Sequence, residues 1–417
     1  MRSGQELPIN ILHFTKDMNR HYPKLAEKKK CTGCLACVDS CKYSALHHYV
    51  DNDGHYYIKI NKDSCIGCLM CEKTCPVVSD IPYAESECAD FYAAWNINDE
   101  ERVRSASGGV FAAMAHYVLN KGGIAVGAAM ENICDVKHVA INRIEDIGKL
   151  QGSKYTQSCT EGIYKETFDY LKHSKIVLFS GTGCQVAGLL SYLKKKQYIG
   201  KLITVDLICG GVPSKLLLNK FIENEPYEIK KILSYRTKEH GWKPKGFVYN
   251  MKVEDSNGII HDYTRKRNLV TTGFSTEMTE RYSCYNCKFV GKKRRSDFTI
   301  GDLWGDTEFP QEHYKGLSLV VAHNRRAKEL LQEMKTYLHV VPYNEVEAAK
   351  VNFRLENGRS VKQYTVERKY LNQLFYKCSY KTLKKIYAND FKVYSLWMAW
   401  KVIRIVYLKI ITYIVKK

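Results

Sequence analysis

The chain has 417 residues, more than one hydrophobic core usually serves, so two or three domains are expected, and its 45% hydrophobic and 26% charged residues make an ordinary globular mixture. Residues 1–10 are polar and no run of about eighteen uncharged apolar residues follows; this argues against a secretory leader and a spanning helix and predicts a cytoplasmic protein. The net charge of +20 is uneven: residues 359–417 carry 14 Lys and Arg against Glu367 and Asp390, which suits an anionic partner surface or a solvated basic helix.

Sixteen cysteines in a reducing compartment point away from disulfides and toward metal or redox chemistry. Residues 1–27 read as a lead-in without clear periodicity, and residues 28–80 as an α+β ferredoxin-like dicluster domain. Its first cysteine run is Cys31, Cys34, Cys37 and Cys41, and its second is Cys65, Cys68, Cys71 and Cys75. Both have the spacing C-x2-C-x2-C-x3-C of two-cluster ferredoxins, in which the fourth cysteine of each run ligates the other cluster. One [4Fe–4S] cluster is therefore expected on Cys31, Cys34, Cys37 and Cys75, and the other on Cys65, Cys68, Cys71 and Cys41. Gly33 and Gly67 let the backbone wrap closely. Zinc also takes paired C-x2-C knuckles, but three cysteines in succession, twice, suit a cubane better. Lys42 stands where the first run usually carries proline, so its turn should be looser. Between the runs, residues 47–58 read as a hairpin around an Asn-Asp-Gly turn.

After a connector at 79–90, residues 91–350 alternate strands and helices, the pattern of an α/β catalytic domain. Helical patterns cover 106–120, 186–195 and 325–337. Strands are expected at 124–128, 175–180, 202–208, 299–303 and 317–322, with an antiparallel insertion at 247–253 and 259–263. Cys184 and Cys209 each follow a buried strand, and Cys284 and Cys287 form a lone C-x2-C. Ligands gather at the carboxyl ends of strands in open α/β sheets. The four thiols could thus complete one site; two structural cysteines beside a zinc or free-thiol pair fit the spacing equally well. Cys88, Cys134, Cys159 and Cys378 read as structural thiols.

Six segments carry a resemblance: Arg104-Ser-Ala-Ser107-Gly108-Gly109-Val-Phe111, Lys154-Tyr155-Thr-Gln157-Ser158, Ser180-Gly-Thr-Gly-Cys184-Gln185, Cys209-Gly-Gly-Val-Pro-Ser214, Ser283-Cys-Tyr-Asn-Cys287 and Ser296-Asp-Phe-Thr-Ile-Gly-Asp302-Leu-Trp304-Gly305. In this order they resemble the coenzyme F420 hydrogenase/dehydrogenase beta-subunit family, and with the cysteine-rich module the likeness covers about three quarters of the chain. The resemblance implies an α/β domain that binds FAD beside a third [4Fe–4S] cluster held by Cys184, Cys209, Cys284 and Cys287. It places the flavin against Ser107, Gly108, Gly109, Lys154, Tyr155, Gly301, Asp302 and Trp304. Ser-Gly-Gly opening a helix also reads as a phosphate cradle in its own right. Arg236, Lys238 and Trp242 resemble a family segment near the flavin, and His240 is a candidate proton donor by its ordinary pKa. Gly183 and Gly210 depart from the family's usual proline and histidine, which puts the coenzyme F420 reaction in doubt. Related members reduce tetrapyrroles, and many bacterial ones resemble partners of polysaccharide biosynthesis enzymes.

The expected function is an iron–sulfur flavoprotein oxidoreductase that passes electrons between a ferredoxin-like partner and an organic substrate, since a flavin adapts one-electron carriers to two-electron chemistry. An electron-transfer subunit serving a separate catalytic protein is the alternative. Nucleic acid is not an expected partner: no zinc-finger spacing and no helix-turn-helix pattern occurs.

Residues 351–417 form a basic helical tail, ending in a C-terminal basic amphipathic helix over 393–417. There Lys401, Arg404 and Lys409 share one side, with Val402, Ile403, Val406, Ile410 and Ile414 mostly opposite. That is the pattern of a helix lying in an anionic membrane interface, peripheral at its inner face; a helix packed on its own domain or on a second copy has the same pattern. A chain ending at Asn389 separates the two. An interfacial anchor predicts a truncated protein that stays folded but no longer sediments with anionic vesicles. A packed helix predicts aggregation on truncation, and no vesicle binding by the intact chain.

Overall fold

The two cysteine runs fold as near copies of one another. In the computed structural model, which describes residues 21–82, 89–239, 241–242, 250–263, 268–275, 279–358 and 377–387, each run passes through a left-handed glycine and a left-handed leucine into a short helix. The first has Gly33 (φ 67°), Leu35 (φ 57°) and helix Ala36–Asp39; the second has Gly67 (φ 74°), Leu69 (φ 58°) and helix Met70–Thr74. A left-handed leucine costs about 1–2 kcal/mol, and burial of Leu35 to 1% exposure helps to offset it. Between the runs, strands β1 (Leu46–Val50) and β2 (Tyr56–Ile60) pair antiparallel, with Leu46 opposite Ile60. The Asp51 carboxylate closes their turn by accepting the N–H groups of Asp53 and His55, both at 3.1 Å.

The larger part of the chain is a mixed α/β fold around a nine-stranded sheet. Its strands are β3 (Asp90–Asn96), β4 (Ile124–Met130), β5 (Val136–Ile141), β6 (Ser158–Cys159), β7 (Ile176–Thr182), β8 (Lys201–Leu207) and, after a separate small sheet, three more. The small sheet holds β9 (Ile229–Ser234), β10 (Met251–Asp255) and β11 (Ile260–Tyr263), all antiparallel. The large sheet is completed by β12 (Phe298–Asp302), β13 (Ser318–Ala322) and β14 (Leu338–Pro342). Spatial order is β14-β3-β13-β12-β8-β7-β4-β5-β6. The central strands β12, β8, β7 and β4 run parallel, with antiparallel strands joining on either side. Central parallel strands are covered on both faces, which is why β7 reads as a continuous apolar run; Val177, Leu178 and Phe179 are fully buried.

Three helix boundaries differ from the sequence pattern. The helix expected from residue 106 begins only at Val110, because Gly109 is left-handed (φ 81°) and a Cβ on Gly108 would stand 2.6 Å from the Ala94 carbonyl oxygen. Residues 105–109 are thereby a loop pressed onto β3 and β13. The helix expected at 186–195 is Gly183–Leu193, capped where the Gln185 side-chain oxygen accepts the Thr182 N–H at 2.9 Å. The helix expected to end at 337 is Arg325–Glu333, after which the chain turns into β14.

Packing continues past residue 350: helix Arg354–Asn357 buries Leu355 completely, and helix Tyr380–Tyr387 buries Tyr380 and Leu383 against the small sheet. The amphipathic segment 393–417, His240 and Cys88 lie outside the described residues. Among the described residues, no helix is long and apolar enough to cross a membrane.

The ferredoxin-like module is bolted to the sheet domain by polar contacts to its backbone. Thr160 Oγ1 donates to the Cys34 carbonyl at 2.7 Å, and the Tyr164 hydroxyl lies between the carbonyl oxygens of Cys34 (2.9 Å) and Gln185 (3.1 Å). Asp39 accepts the N–H groups of Gly162 (2.7 Å) and Tyr164 (3.1 Å), and Arg281 Nε donates to the Cys31 carbonyl at 2.7 Å. Helix Gly183–Leu193 comes closest. A Cβ on Gly188 would meet the Tyr164 hydroxyl at 2.9 Å and Cys34 Sγ at 3.2 Å, so only glycine lets the cysteine loop seat there. Gly188→Val should therefore destabilise the protein by about 1–3 kcal/mol through overpacking. Gly148→Ala, which would touch only the Gln151 side chain at 3.9 Å, should be near neutral. Urea unfolding of the two variants checks this, and equal midpoints would overturn the seam as described.

Candidate functional site

The thiols of the first module fall into two neighbourhoods. Cys34 and Cys37 are buried, and burial pushes both thiols far above their ordinary value; each is raised further by Cys75 and Cys31, and Cys37 also by Cys34 and, from the adjoining set, Cys71. Burial lifts Cys71 to about 11, and its thiol neighbours are Cys41 and Cys68. The fourth cysteine of each run thus stands with members of the other run. The Cys41 sulfur also accepts the Ala45 N–H at 3.3 Å, the type of donor that tunes a sulfur ligand. Four thiolates on zinc would sit about 3.8 Å apart for bonds of about 2.3 Å. Among the described residues, the one group of three or more such ligand atoms mutually within 4.8 Å is His48, Cys159 and Glu161. Three cysteines per run at x2 spacing, with the fourth from the other run, make the donor set of a four-iron cubane.

Cys184, Cys209 and Cys287 form a third neighbourhood. Burial lifts Cys184 to about 11 and Cys287 to about 12; the Cys209 thiol raises both and Cys184 raises Cys287, while Arg281 opposes the rise at Cys184. Cys184 opens the helix Gly183–Leu193, with its sulfur 3.2 Å from Thr182 Oγ1. Backbone N–H groups reach the sulfurs of Cys209 (from Gly211, 3.4 Å) and Cys287 (from Phe289, 3.4 Å). Cys284 lies in the same short turn as Cys287, in the 3-10 helix Tyr282–Asn286. Cys184 also raises the Cys34 thiol, so the third neighbourhood adjoins the first module. Cys134, Cys159 and Cys378 are half-buried rather than core thiols.

A cavity of about 330 Å³ opens at the carboxyl ends of the parallel strands. It is lined by Gly127 and Ala128 of β4, Ser180 to Thr182 of β7, Leu207 at the end of β8 with Ile208 to Pro213 beyond it, and Ile300 to Asp302 of β12, with Gly33 from the first cysteine loop. Of the residues expected at a flavin, Ser107, Gly109, Lys154, Tyr155, Gly301, Asp302 and Trp304 line this cavity. Gly108 does not: its N–H donates to Ser318 Oγ at 2.9 Å, and it is packed between β3 and β13. Helix Val110–Asn120 starts at this cavity, and Gly109 offers no side-chain cap to its first N–H groups. Tyr155 stacks on Phe274 at 4.4 Å, and Trp304 lies 5.3 Å from the Arg236 guanidinium.

The expected catalytic residues separate. Arg236 faces the cavity and grips Asp302 in a bidentate pair at 2.9 and 3.0 Å. Lys238 does not face it: its ammonium donates to the carbonyls of Arg102 (2.6 Å), Lys315 (2.8 Å) and Ser107, so its role is to brace the 102–109 loop. Burial, with Arg236 and Arg102 close by, lowers it to about 6, while the three carbonyls favour the ammonium. The sequence pattern did not single out His138, which lines the cavity from β5. Its Nε2 is 3.0 Å from the Ser180 carbonyl oxygen and so carries the proton, while Nδ1 accepts from the Ser158 hydroxyl at 2.7 Å. Burial lowers it to about 4, so it is neutral at pH 7. A lone histidine in an alternating strand gives no sign of this beforehand.

Comparison with known proteins follows the same divisions. The family model described as 4Fe-4S dicluster domain matches residues 30–78. The models for coenzyme F420 hydrogenase/dehydrogenase, beta subunit match at residues 91–163 for the N-terminal part and 174–346 for the C-terminal part. Among solved structures, a chain of the F420-reducing [NiFe] hydrogenase complex from Methanosarcina barkeri aligns at 20% identity and a TM-score of 0.45, covering 71% of this chain and 93% of that one. No curated protein matches in sequence.

Lys154 is the cavity lysine whose titration can be followed. Its ammonium donates to the carbonyls of Gln151 (2.7 Å) and Lys149 (3.2 Å), and burial lowers its pKa to about 7. A lowered lysine binds fewer protons folded than unfolded, so its contribution to stability rises with pH between about 7 and its ordinary value of 10.5. Isotope-labelled reductive methylation should reveal a lysine resonance titrating near 7 that is absent in Lys154→Arg and separate from that of Lys238, which burial lowers to about 6. If every resonance titrates near 10, the enclosure of Lys154 is not as described.

Proposed function

This chain belongs to the coenzyme F420 hydrogenase/dehydrogenase beta-subunit family, with a 4Fe-4S dicluster domain ahead of the family's two segments, and on that premise we propose that it is an iron–sulfur flavoprotein oxidoreductase passing electrons between a ferredoxin-type partner and an organic substrate. The observation that carries this reading is a juxtaposition. Cys34 rests on Gly188 of the helix that begins with Cys184, and Cys184 and Cys209 line the same cavity as seven of the residues expected at the flavin. In this reading the one-electron carriers would adjoin a two-electron site.

The residues present fit both groups. Twelve cysteines supply three four-thiolate sets: Cys31, Cys34, Cys37 and Cys75; Cys65, Cys68, Cys71 and Cys41; and Cys184, Cys209, Cys284 and Cys287. In this reading FAD would be held by Ser107, Gly109, Lys154, Tyr155, Gly301, Asp302 and Trp304, with its phosphates toward the uncapped start of helix Val110–Asn120. Bound there, it would supply the exchange between single electrons and electron pairs.

Within the cavity the protein's own groups divide the work. Arg236 and Asp302 neutralise each other and stiffen the wall beside Trp304. His138, neutral and held at both nitrogens, positions Ser158 and Ser180. Lys154, near neutrality in pKa, can hold or release a proton at Nζ as the substrate changes charge. The second run reaches the surface at one thiol, which an external carrier can approach: Cys68 is exposed between Ile66 (49% exposed) and Met70 (47% exposed), while Cys65, Cys71 and Cys75 are buried.

Anaerobically purified protein should contain about twelve irons and twelve acid-labile sulfides, from three cubanes of four irons each. Changing both Cys284 and Cys287 to serine should remove a third of the iron; unchanged iron would remove the third set from the reading. Denaturation should release about one FAD per chain, and Ala128→Phe, which fills the cavity, should cut that severalfold at unchanged iron. Wild-type protein that carries iron but takes up no flavin would favour an electron-transfer subunit without a substrate of its own.

A further inference from the structure

The charged residues lining the cavity are Lys154, Arg236, Asp302 and Arg354. Three are committed. Arg236 and Asp302 hold each other, and Lys154 is bound to two carbonyls. Arg354 differs. It enters from the helix Arg354–Asn357, beyond the residues 174–346 matched by the family model. Among the described residues it forms no ion pair, and its Nε is buried without a hydrogen-bond partner.

The glycine that follows Cys209 leaves the space that Arg354 occupies. A Cβ built on Gly210 would lie 2.7 Å from one terminal nitrogen of Arg354 and 2.8 Å from Cζ, closer than any real side chain could sit. The guanidinium therefore occupies the space that a side chain at 210 would take. Phe274 and Phe353 flank it, with ring centres 5.3 and 5.8 Å from Cζ. A guanidinium beside two rings, with a buried N–H unsatisfied and no ion-paired carboxylate among the described residues, carries a desolvation cost that an anion would offset. Its planar fork suits a carboxylate or phosphate group in particular.

We infer that Arg354 is an anion-binding residue of the cavity, receiving a phosphate or carboxylate group of its occupant beside Cys209, and that Gly210 is glycine to make room for it. The inference rests on the cavity being the ligand site proposed above, but not on flavin being the ligand. Two sources of the anion are chemically equivalent: the diphosphate of FAD and an anionic group on a second molecule.

The test uses the cluster-loaded full chain, freed of flavin, with calorimetric titration of FAD and separately of inorganic phosphate at low salt. Wild type, Arg354→Met, Arg354→Lys and Gly210→Ala are compared at matched iron content. Arg354→Met and Gly210→Ala should both weaken at least one of the two ligands tenfold or more, and Arg354→Lys should retain part of the affinity. Loss of FAD affinity, with phosphate competing against FAD in wild type, assigns the anion to the flavin. Loss of phosphate affinity with FAD unchanged assigns it to a second molecule. If wild type takes up no FAD, the flavin reading fails while the phosphate titration still decides the role of Arg354. Unchanged affinity for both ligands in Arg354→Met, or a wild type that binds neither, overturns the inference.

Discussion

The close approach of the first cysteine loop to helix Gly183–Leu193 is the constraint on which the rest of the molecule depends. Cys184 and Gly188 are four residues apart and so share one face of the helix. Cys34 seats over Gly188, where a Cβ would come 3.2 Å from its sulfur, and Cys184 points to the same region and into the cavity. One helix thus serves as the floor of the ferredoxin-like module and as one wall of the cavity. The clamps from Thr160, Tyr164 and Arg281 act on backbone carbonyls of the cysteine loop, and the Asp39 carboxylate of the module accepts the Gly162 and Tyr164 N–H groups in return, so the loop is positioned without using its sulfurs.

Gathering so many thiols has an electrostatic consequence. Burial and neighbouring thiols raise Cys34, Cys37, Cys71, Cys184 and Cys287 together, so thiolates there need compensating positive charge. Iron would supply most of it. The protein contributes Arg281, buried to 1% exposure, which bonds the Cys31 carbonyl, stacks 4.1 Å over the Tyr57 ring and lowers Cys184. This one side chain touches the first module while facing the third thiol set electrostatically, which places a fixed positive charge at the junction between them.

The wall opposite the cysteines is braced differently. Arg102 is almost fully buried and donates to the Gly316 carbonyl at 2.7 and 2.9 Å and to the Glu312 carboxylate at 2.6 Å. Lys238 closes the same frame from the other side through three carbonyls. Arg102 and Lys238 thus tie the segment from 102 to 107 to the carbonyls of Lys315 and Gly316. In the reading proposed above, that bracing would orient the uncapped N–H groups after Gly109 toward an anion.

The sequence alone determined what depends on local spacing. The two cysteine runs, the hairpin between them and the apolar runs of β7, β8 and β13 are each written within a dozen residues, where covalent geometry and side-chain period leave few alternatives. The family likeness was also legible, because its motifs sit where strands end and backbone conformation demands glycine. Only the tertiary structure decided the rest. Gly108 and Gly109 are neighbours in a single motif, yet contact with Ala94 and Ser318 turns one into packing and leaves the other on the cavity. Arg236 and Lys238 are two residues apart, yet Asp302 holds the first at the cavity and the carbonyls of Arg102, Ser107 and Lys315 hold the second behind it. Arg354 reaches Gly210 across 144 positions of chain, a pairing no local pattern encodes. In each case the deciding partner is distant in sequence, and only the folded sheet brings it within contact.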